Sequence, residues 1–365
     1  MPDVIIIGGG IAGVSLCAAL AGRMDVVLVE QEPQLGLHAT GRSAAMYFES
    51  YGNSIVQALT RASRGFFTAP PTGFSQNPLV QRRECLWVKG EDEVDAELPP
   101  WLPPVHTEAA IARVPILRRE WLAAAALDAS GFDLDVDVLL NGFARAARGA
   151  GVRLLTGLGQ VEIWRVAGGW SAVAGDIEVQ APRLVNAAGA WADQVAQRAG
   201  VEGVGLQPMR RSAMSLPAPE GLETRDWPMV IDAGERFYFK PDAGQLLLSP
   251  ANEDPDLPAD VAADEMDVAI AVDRFERATT YTVKRISHRW AGLRSFVTDR
   301  SPVVGYAQGA PGFFWLAGQG GYGIQTAPAL SRVAAAVLMD EPIPEDIAAY
   351  GVDCSLLSPA RFAAP

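Results

Sequence analysis

An α/β fold, with a parallel sheet assembled from distant parts of the chain and a β-rich α+β domain built from the stretches between them, follows from three features. A βαβ unit with a glycine-rich turn opens the chain, strand-to-helix glycine turns recur near residues 188 and 320, and short strands dominate the region between them. The 365 residues allow about two domains. With 49% hydrophobic and 20% charged residues, this is a packed globular chain rather than a disordered one. The 36 Gly and 26 Pro require many tight turns. A net charge of −13 repels phosphate backbones and anionic headgroups, so a small-molecule partner is expected rather than nucleic acid or a membrane. Cys17, Cys85 and Cys354 lack CxxC spacing, which leaves neither a disulfide framework nor a zinc cage and fits a reducing, cytoplasmic setting without metal. Val4 to Gly22 is uncharged, but five glycines interrupt it and Asp3 precedes it, so it is not read as a membrane span or signal peptide.

Val4 to Ile7 is a β-branched run without a polar break, the pattern of a strand buried on both faces of a parallel sheet. Gly8, Gly10 and Gly13 follow as G-x-G-x-x-G, then an apolar helix to about Ala21, then a strand Val26 to Val29 closed by Glu30. Gly8 permits the tight turn, Gly10 lets the backbone approach a pyrophosphate, and Gly13 lets the helix lie close to the strand. The helix N-terminus then faces the phosphates, and Glu30 is placed to accept from adenosine ribose hydroxyls. A purely structural Rossmann turn is the competing reading. Strand, motif, helix, strand and terminal acid in this order favour a dinucleotide.

The second strand leads into a loop containing Thr40, Gly41, Arg42 and Ser43, which suits a cofactor extending beyond its pyrophosphate. Here the chain resembles the FAD-dependent amine and D-amino acid oxidase superfamily, in which such a loop runs beside the flavin. The resemblance implies a Rossmann-type FAD-binding domain, discontinuous in sequence, and makes FAD the expected cofactor.

Further along, helical spacing predicts a helix from Ser54, its N-cap, to about Phe67, and Glu84 to Val88 reads as a strand. The acidic, proline-rich stretch from Glu91 to Val105 reads as a surface excursion without evident chemistry. Asp135 to about Arg148 predicts a second helix, and residues 153 to 156, 160 to 166, 170 to 174 and 177 to 180 a small antiparallel meander. Arg183 to Ala192 runs from a buried strand through Ala188 and Gly189 to Trp191, a second glycine turn open to a cofactor. Pro208 to Trp290 is β-rich and includes a hairpin turning at Pro241 to Gly244. A last strand, Phe313 to Ala317, enters the glycine loop Gly318 to Gly323 and a helix to about Leu338. The expected FAD-binding domain comprises residues 1–76, 133–204 and 293–365, and the substrate-binding domain residues 77–132 and 205–292.

A flavin that oxidises an amine or alcohol needs the substrate C–H bond held near its N5, and a helix N-terminus stabilises the charge of the reduced ring. The loop Gly318 to Gly323 suits that task, unless its glycines merely turn the chain. A substrate carboxylate calls for Arg, whose fork pairs with two oxygens, and Arg210, Arg211 and Arg294 are candidates. Arg294 lies in an otherwise apolar stretch, where an internal pair with Asp299 is the alternative.

Many strings, among them Thr40 to Ala45, Val185 to Trp191, Arg210 to Ala213, Lys240 to Gly244, Trp290 to Phe296 and Gln319 to Thr326, are similar nearly end to end to bacterial FAD-dependent D-arginine and broad-specificity D-amino acid dehydrogenases. That resemblance implies a carboxylate bound by Arg211 and Arg294 with help from Tyr238, Tyr51 closing over the pocket, Glu84 receiving a cationic side chain, and the Gly321 carbonyl accepting from the amine. It also implies cofactor contacts at Thr40 to Ser43, Ala188, Gly189, Trp191, Arg294 and the run Gly320, Gly321, Tyr322, Gly323, Ile324, Gln325 and Thr326. From the residues alone, Glu84 alternates with Leu86 and Val88, with an internal pair to Arg82 as the alternative, and Tyr51 and Tyr238 read also as core aromatics. Met46 and Phe48 depart from the pattern, where a histidine and a small hydroxyl residue are expected, and shift the preference towards apolar substrates.

The implied reaction is hydride transfer from Cα of a D-amino acid to flavin N5, giving an imino acid that water hydrolyses to the 2-oxo acid and ammonia. The amine must be neutral, and no base is needed in that step. A secondary amine of the N-methylglycine kind or a 2-hydroxy acid is the alternative substrate class, and a flavin-carrying subunit the alternative role. Without a Cys in the loop near Gly320, attachment of FAD is expected to be non-covalent. The electron acceptor, oxygen or another, is left open.

Overall fold

The computed structural model describes residues 1–91 and 95–362; residues 92–94 of the acidic excursion and 363–365 lie outside that description. The strand Val4–Ile7 sits centrally in a six-stranded sheet, in parallel register between Val26–Val29 and Arg183–Asn186. Phe313–Ala317 extends the parallel set beyond Arg183–Asn186, and Val303–Tyr306 closes that edge antiparallel. Arg153–Leu155 forms the other edge, parallel to Val26–Val29. Its assignment to the antiparallel meander is therefore corrected. It follows the helix Val136–Gly149, so it is the return strand of a crossover, and the meander is the three strands Glu162–Val166, Gly169–Ala174 and Ile177–Ala181.

Period-3.6 patterns explain the helices on one face. Ser54–Thr68, Val136–Gly149 and Gly323–Leu338 bury Leu59, Phe143 and Leu330 with Val14 and Leu16 of the helix Ile11–Leu20 in one core. The first of these is capped by Asn53, whose Oδ1 accepts from Val56 N–H at 3.2 Å, rather than by Ser54. The opposite face of the sheet packs on the meander through Trp170 and on the helix Ala192–Arg198.

The second sheet has nine strands, taken from residues 85–128, 207–255 and 288–296. Period-2 alternation divides its side chains. Leu86, Val88, Phe239 and Leu248 enter a core under the helices Thr107–Arg113 and Glu265–Ala278, whereas Cys85, Met229, Tyr238 and Leu247 form the opposite face. That second face looks towards the glycine turns of the first sheet.

A small ionic cluster fastens the two parts. Asp133, on a short strand paired to Met46–Tyr47 and Val80–Arg82, accepts from Arg83 Nε at 2.7 Å and from Lys240 Nζ at 2.7 Å, and both cations are buried. Removing the shared anion leaves two buried cations facing each other. Asp133→Asn is expected to lower stability by about 3 kcal/mol, read as an earlier denaturant midpoint. An unchanged midpoint would show that the cluster is worth no more than a surface pair.

Candidate active site

The first cavity, about 390 Å³, runs along the carboxyl ends of the central parallel strands. Gly8, Gly10 and Ile11 line it at the first turn, Glu30 beyond the second strand, and Ala188, Gly189 and Trp191 at the second glycine turn. Glu30 accepts from the N–H of Gly9 and, at 2.8 Å, of Glu32, which fixes its carboxylate at the cavity edge. Thr40 Oγ1 accepts from Ile11 N–H at 3.0 Å, tying the loop after Glu30 to the start of the first helix. Arg42 and Ser43 also line the cavity. Arg42 is itself held by the carbonyls of Val261 and Ala291 at 3.1 and 3.0 Å.

Some expected cofactor contacts fall elsewhere. Gly13 and Gly41 stand behind the lining, Gly13 against the Gly8 carbonyl. Gly320, Gly321, Gly323 and Ile324 line the cavity, but Tyr322 and Gln325 line the adjoining one, and Thr326 lines neither. The helical period turns them away: Thr326 is fully buried, with its hydroxyl donating to the Tyr322 carbonyl at 2.8 Å.

The adjoining cavity is about 770 Å³. Arg211, Tyr238, Arg294 and Gly321 line both cavities and so mark the seam. Strand register explains the arginines. Gln207–Pro217 pairs antiparallel with His288–Phe296, with Met209 opposite Arg294 and Arg211 opposite Gly292, so Arg211 and Arg294 project from one face as diagonal neighbours. Arg210 points to the other face, where Asp256 accepts from it at 3.0 Å.

Arg211 donates to the Asn252 carbonyl at 2.6 Å and to Glu253 at 3.1 Å. Burial and then the Arg294 charge hold its pKa below the ordinary value. Burial also opposes charge on Arg294, but Tyr51, Tyr238 and Glu253 outweigh it and raise its pKa. Arg294 Nη1 is buried without a partner. Asp299, its expected alternative partner, is instead taken by Arg361 at 2.7 Å. Burial raises the pKa of Tyr238, yet Arg294, Arg211 and hydrogen bonds with Ser249 and Arg211 bring it below that of an ordinary phenol. Tyr51 lines the second cavity, hydrogen-bonded to Arg294 and edge-on to Tyr322 at 5.0 Å.

Glu84 does not join this group. It lies just before the strand Cys85–Gly90, and its carboxylate lies 3.7 Å from Arg82 and 3.7 Å from Arg113, the last residue of the helix Thr107–Arg113. Cys85 and Trp87, one residue out of phase, line the cavity instead, with Met46, Phe48, Met229 and Ile231. The sequence reading does not single out several lining residues: His38, with its ring 4.6 Å from that of Trp191; Ser295 and Gln319; and the buried Asp128, whose Oδ1 accepts from Ser130 N–H at 2.9 Å. Leu98 to Leu102 of the proline-rich excursion also cover the second cavity.

Two glycine turns and an acid closing the second strand around one cavity, joined at an arginine seam to a second, are the arrangement of a dinucleotide-dependent protein with an adjoining cavity of its own. Residues 3–337 match the model of the DAO family, FAD dependent oxidoreductase, and the chain belongs to that family. It is 26% identical to FAD-dependent oxidoreductase domain-containing protein 1 of Xenopus laevis, over 93% of this chain and 79% of that protein. The fold matches glycine oxidase from Geobacillus kaustophilus with a TM-score of 0.80 at 19% identity, covering 96% of this chain and 98% of that one. Iminodiacetate oxidase from Chelativorans sp. BNC1 also matches with a TM-score of 0.80, at 20% identity over 98% and 99% of the two chains.

FAD is the cofactor, and the first cavity fits it. Among the described residues five buried side-chain polar atoms have no partner; three of them, on His38, Ser295 and Gln319, line this cavity and not the second, and a fourth, on Arg294, stands at the seam of the two. Unmet buried groups gathered at one place are what a polar ligand satisfies. No helix among the described residues is long and apolar enough to cross a membrane, and no cluster of three or more metal-ligating side chains occurs among them.

Proposed function

We propose that the protein oxidises a D-amino acid at Cα to the imino acid, which water hydrolyses to the 2-oxo acid and ammonia. The pair Arg211 and Arg294, on one sheet face at the seam of the two cavities, carries the carboxylate-bearing substrate of this reading, and the D configuration follows the resemblance to D-amino acid dehydrogenases. Bound FAD supplies the two-electron acceptor. Arg294, with a buried unpartnered Nη1, and Arg211 receive the substrate carboxylate through charge-assisted bonds. Tyr238 and Tyr51 donate to the same group and shield it from water. The Gly321 carbonyl accepts from the amine, which enters neutral so that its lone pair supports the developing C=N bond. Carboxylate and amine held together fix the α-hydrogen towards the cofactor, and position rather than a side-chain base is the protein's contribution.

Met46, Phe48, Trp87, Met229 and Ile231 give the side-chain chamber an apolar wall that suits an apolar or aromatic substituent; its lining also carries Glu97, Asp128, Glu235 and Glu253, of which Asp128 already accepts from Ser130 and Glu253 from Arg211 and Arg300. With Glu84 paired outside the chamber, it has no part in substrate binding. The glycine and iminodiacetate oxidases of like fold act, by their names, on amines that carry carboxylates. Anaerobic mixing with a panel of D- and L-amino acids, N-methylglycine and 2-hydroxy acids tests the reading. Bleaching of the flavin by D-methionine, D-leucine or D-phenylalanine, faster than by D-arginine and with ammonia as co-product, is expected. Bleaching by the other classes alone would overturn it.

A further inference from the structure

We infer that Ser295 and Gln319 hydrogen-bond the ring of the bound FAD and raise its midpoint potential. Ser295 Oγ and Gln319 Nε2 are buried and without partners among the described residues. Both line the first cavity and neither lines the second, so the group they meet is cofactor rather than substrate.

The two side chains come from separate elements that form one wall. Gly320 N–H donates to the Ser295 carbonyl at 2.9 Å, which joins the end of the strand His288–Phe296 to the glycine turn before the last helix. Their chain neighbours Arg294 and Gly321 line both cavities. The pair therefore stands one residue from the seam, at the end of the first cavity nearest the substrate chamber. The pyrophosphate turn, with Gly10 and the Thr40 to Ile11 hydrogen bond, belongs to other elements. Neutral donors in a water-poor site stabilise the state with more negative charge, here the reduced ring, and leave the charge balance at the arginines untouched.

The test is a redox titration of the FAD-loaded enzyme with no amino acid present, so it does not depend on the substrate assignment. Gln319→Leu and Ser295→Ala are each expected to move the midpoint to more negative values and to raise the FAD dissociation constant up to about tenfold. Gln319→Glu keeps the shape but adds negative charge, and is expected to move the midpoint further than Gln319→Leu. Potentials equal to the parent's in both single variants overturn the inference. Weaker FAD binding with an unmoved potential also overturns it, because the pair would then touch the ribityl or phosphate portion. If the Gln319 variants do not retain FAD, Ser295→Ala, which removes a single oxygen, carries the test.

Discussion

Replacing Arg294 by Met is expected to lower kcat/KM for the amino acid by about 10³-fold while the protein keeps its FAD and its yellow colour. The size follows from two charge-assisted bonds to a carboxylate at about 1.5–3 kcal/mol each, against about 1.4 kcal/mol per factor of ten. Arg294 makes no pair with Asp299, which Arg361 holds, so the hydrogen bond lost with it inside the protein is the one to Tyr51. The Arg211 variant should lose less. Its guanidinium already serves the Asn252 carbonyl and Glu253, so only part of its donor set is free for substrate. Arg294→Lys should not restore activity, since a point charge cannot reproduce the fork beside Gly321, whose added Cβ would stand 3.0 Å from Arg294 Nη1. Stopped-flow reduction under anaerobic conditions separates the effects: a raised apparent Kd reports lost anchoring, and a slowed limiting rate reports a misplaced α-hydrogen. If Arg294→Met reduces its flavin as fast as the parent at the same substrate concentration, the carboxylate is bound elsewhere.

Local physics made the opening βαβ unit legible, because strand, glycine turn, helix and second strand follow one another directly in the chain and the two strands pair with each other. Val4 to Ile7, the three glycines and Glu30 are all where their spacing puts them. The same holds for the hairpin Tyr238–Asp242 and Gln245–Ser249, set by its turn. Glu84 shows where such reading stops. Alternation groups it with Leu86 and Val88, but the strand starts one residue later, at Cys85, and which face of a sheet meets the cavity depends on what covers the other. Here that cover is the helix Thr107–Arg113, which carries Arg113 to the carboxylate. The strand Arg153–Leu155 failed for a similar reason, since three residues cannot show whether their partner is the next strand or one 126 residues earlier. Leu98 to Leu102 have no period at all, and only the folded chain brings them over the chamber. Ser295 and Gln319 did offer a signal: each is a polar residue beside a residue already singled out, in a stretch otherwise apolar or glycine.

Gly13→Ala is expected to abolish FAD binding, and with it the colour of the purified protein. A Cβ at this position would lie 2.0 Å from the Gly8 carbonyl oxygen, and both partners are backbone, so no side chain can swing aside. The helix Ile11–Leu20 would have to lift from the strand Val4–Ile7, taking with it the N–H of Ile11 and the Thr40 hydrogen bond that closes the loop over the cavity. Overpacking in a core costs about 1–3 kcal/mol where side chains adjust. Here the moving part is the wall of the pyrophosphate site, so the binding loss should exceed the stability loss. Gly65 supplies the control. It lies within the helix Ser54–Thr68, a Cβ there would meet nothing within 4 Å, and Gly65→Ala should stabilise the chain by roughly 0.5–1 kcal/mol without touching FAD affinity. Thermal melts in the presence and absence of added FAD distinguish the two: the midpoint of Gly65→Ala should rise with FAD as the parent's does, and that of Gly13→Ala should not respond. A Gly13→Ala protein that binds FAD as tightly as the parent would mean that helix and strand do not make the close approach on which the cofactor site depends.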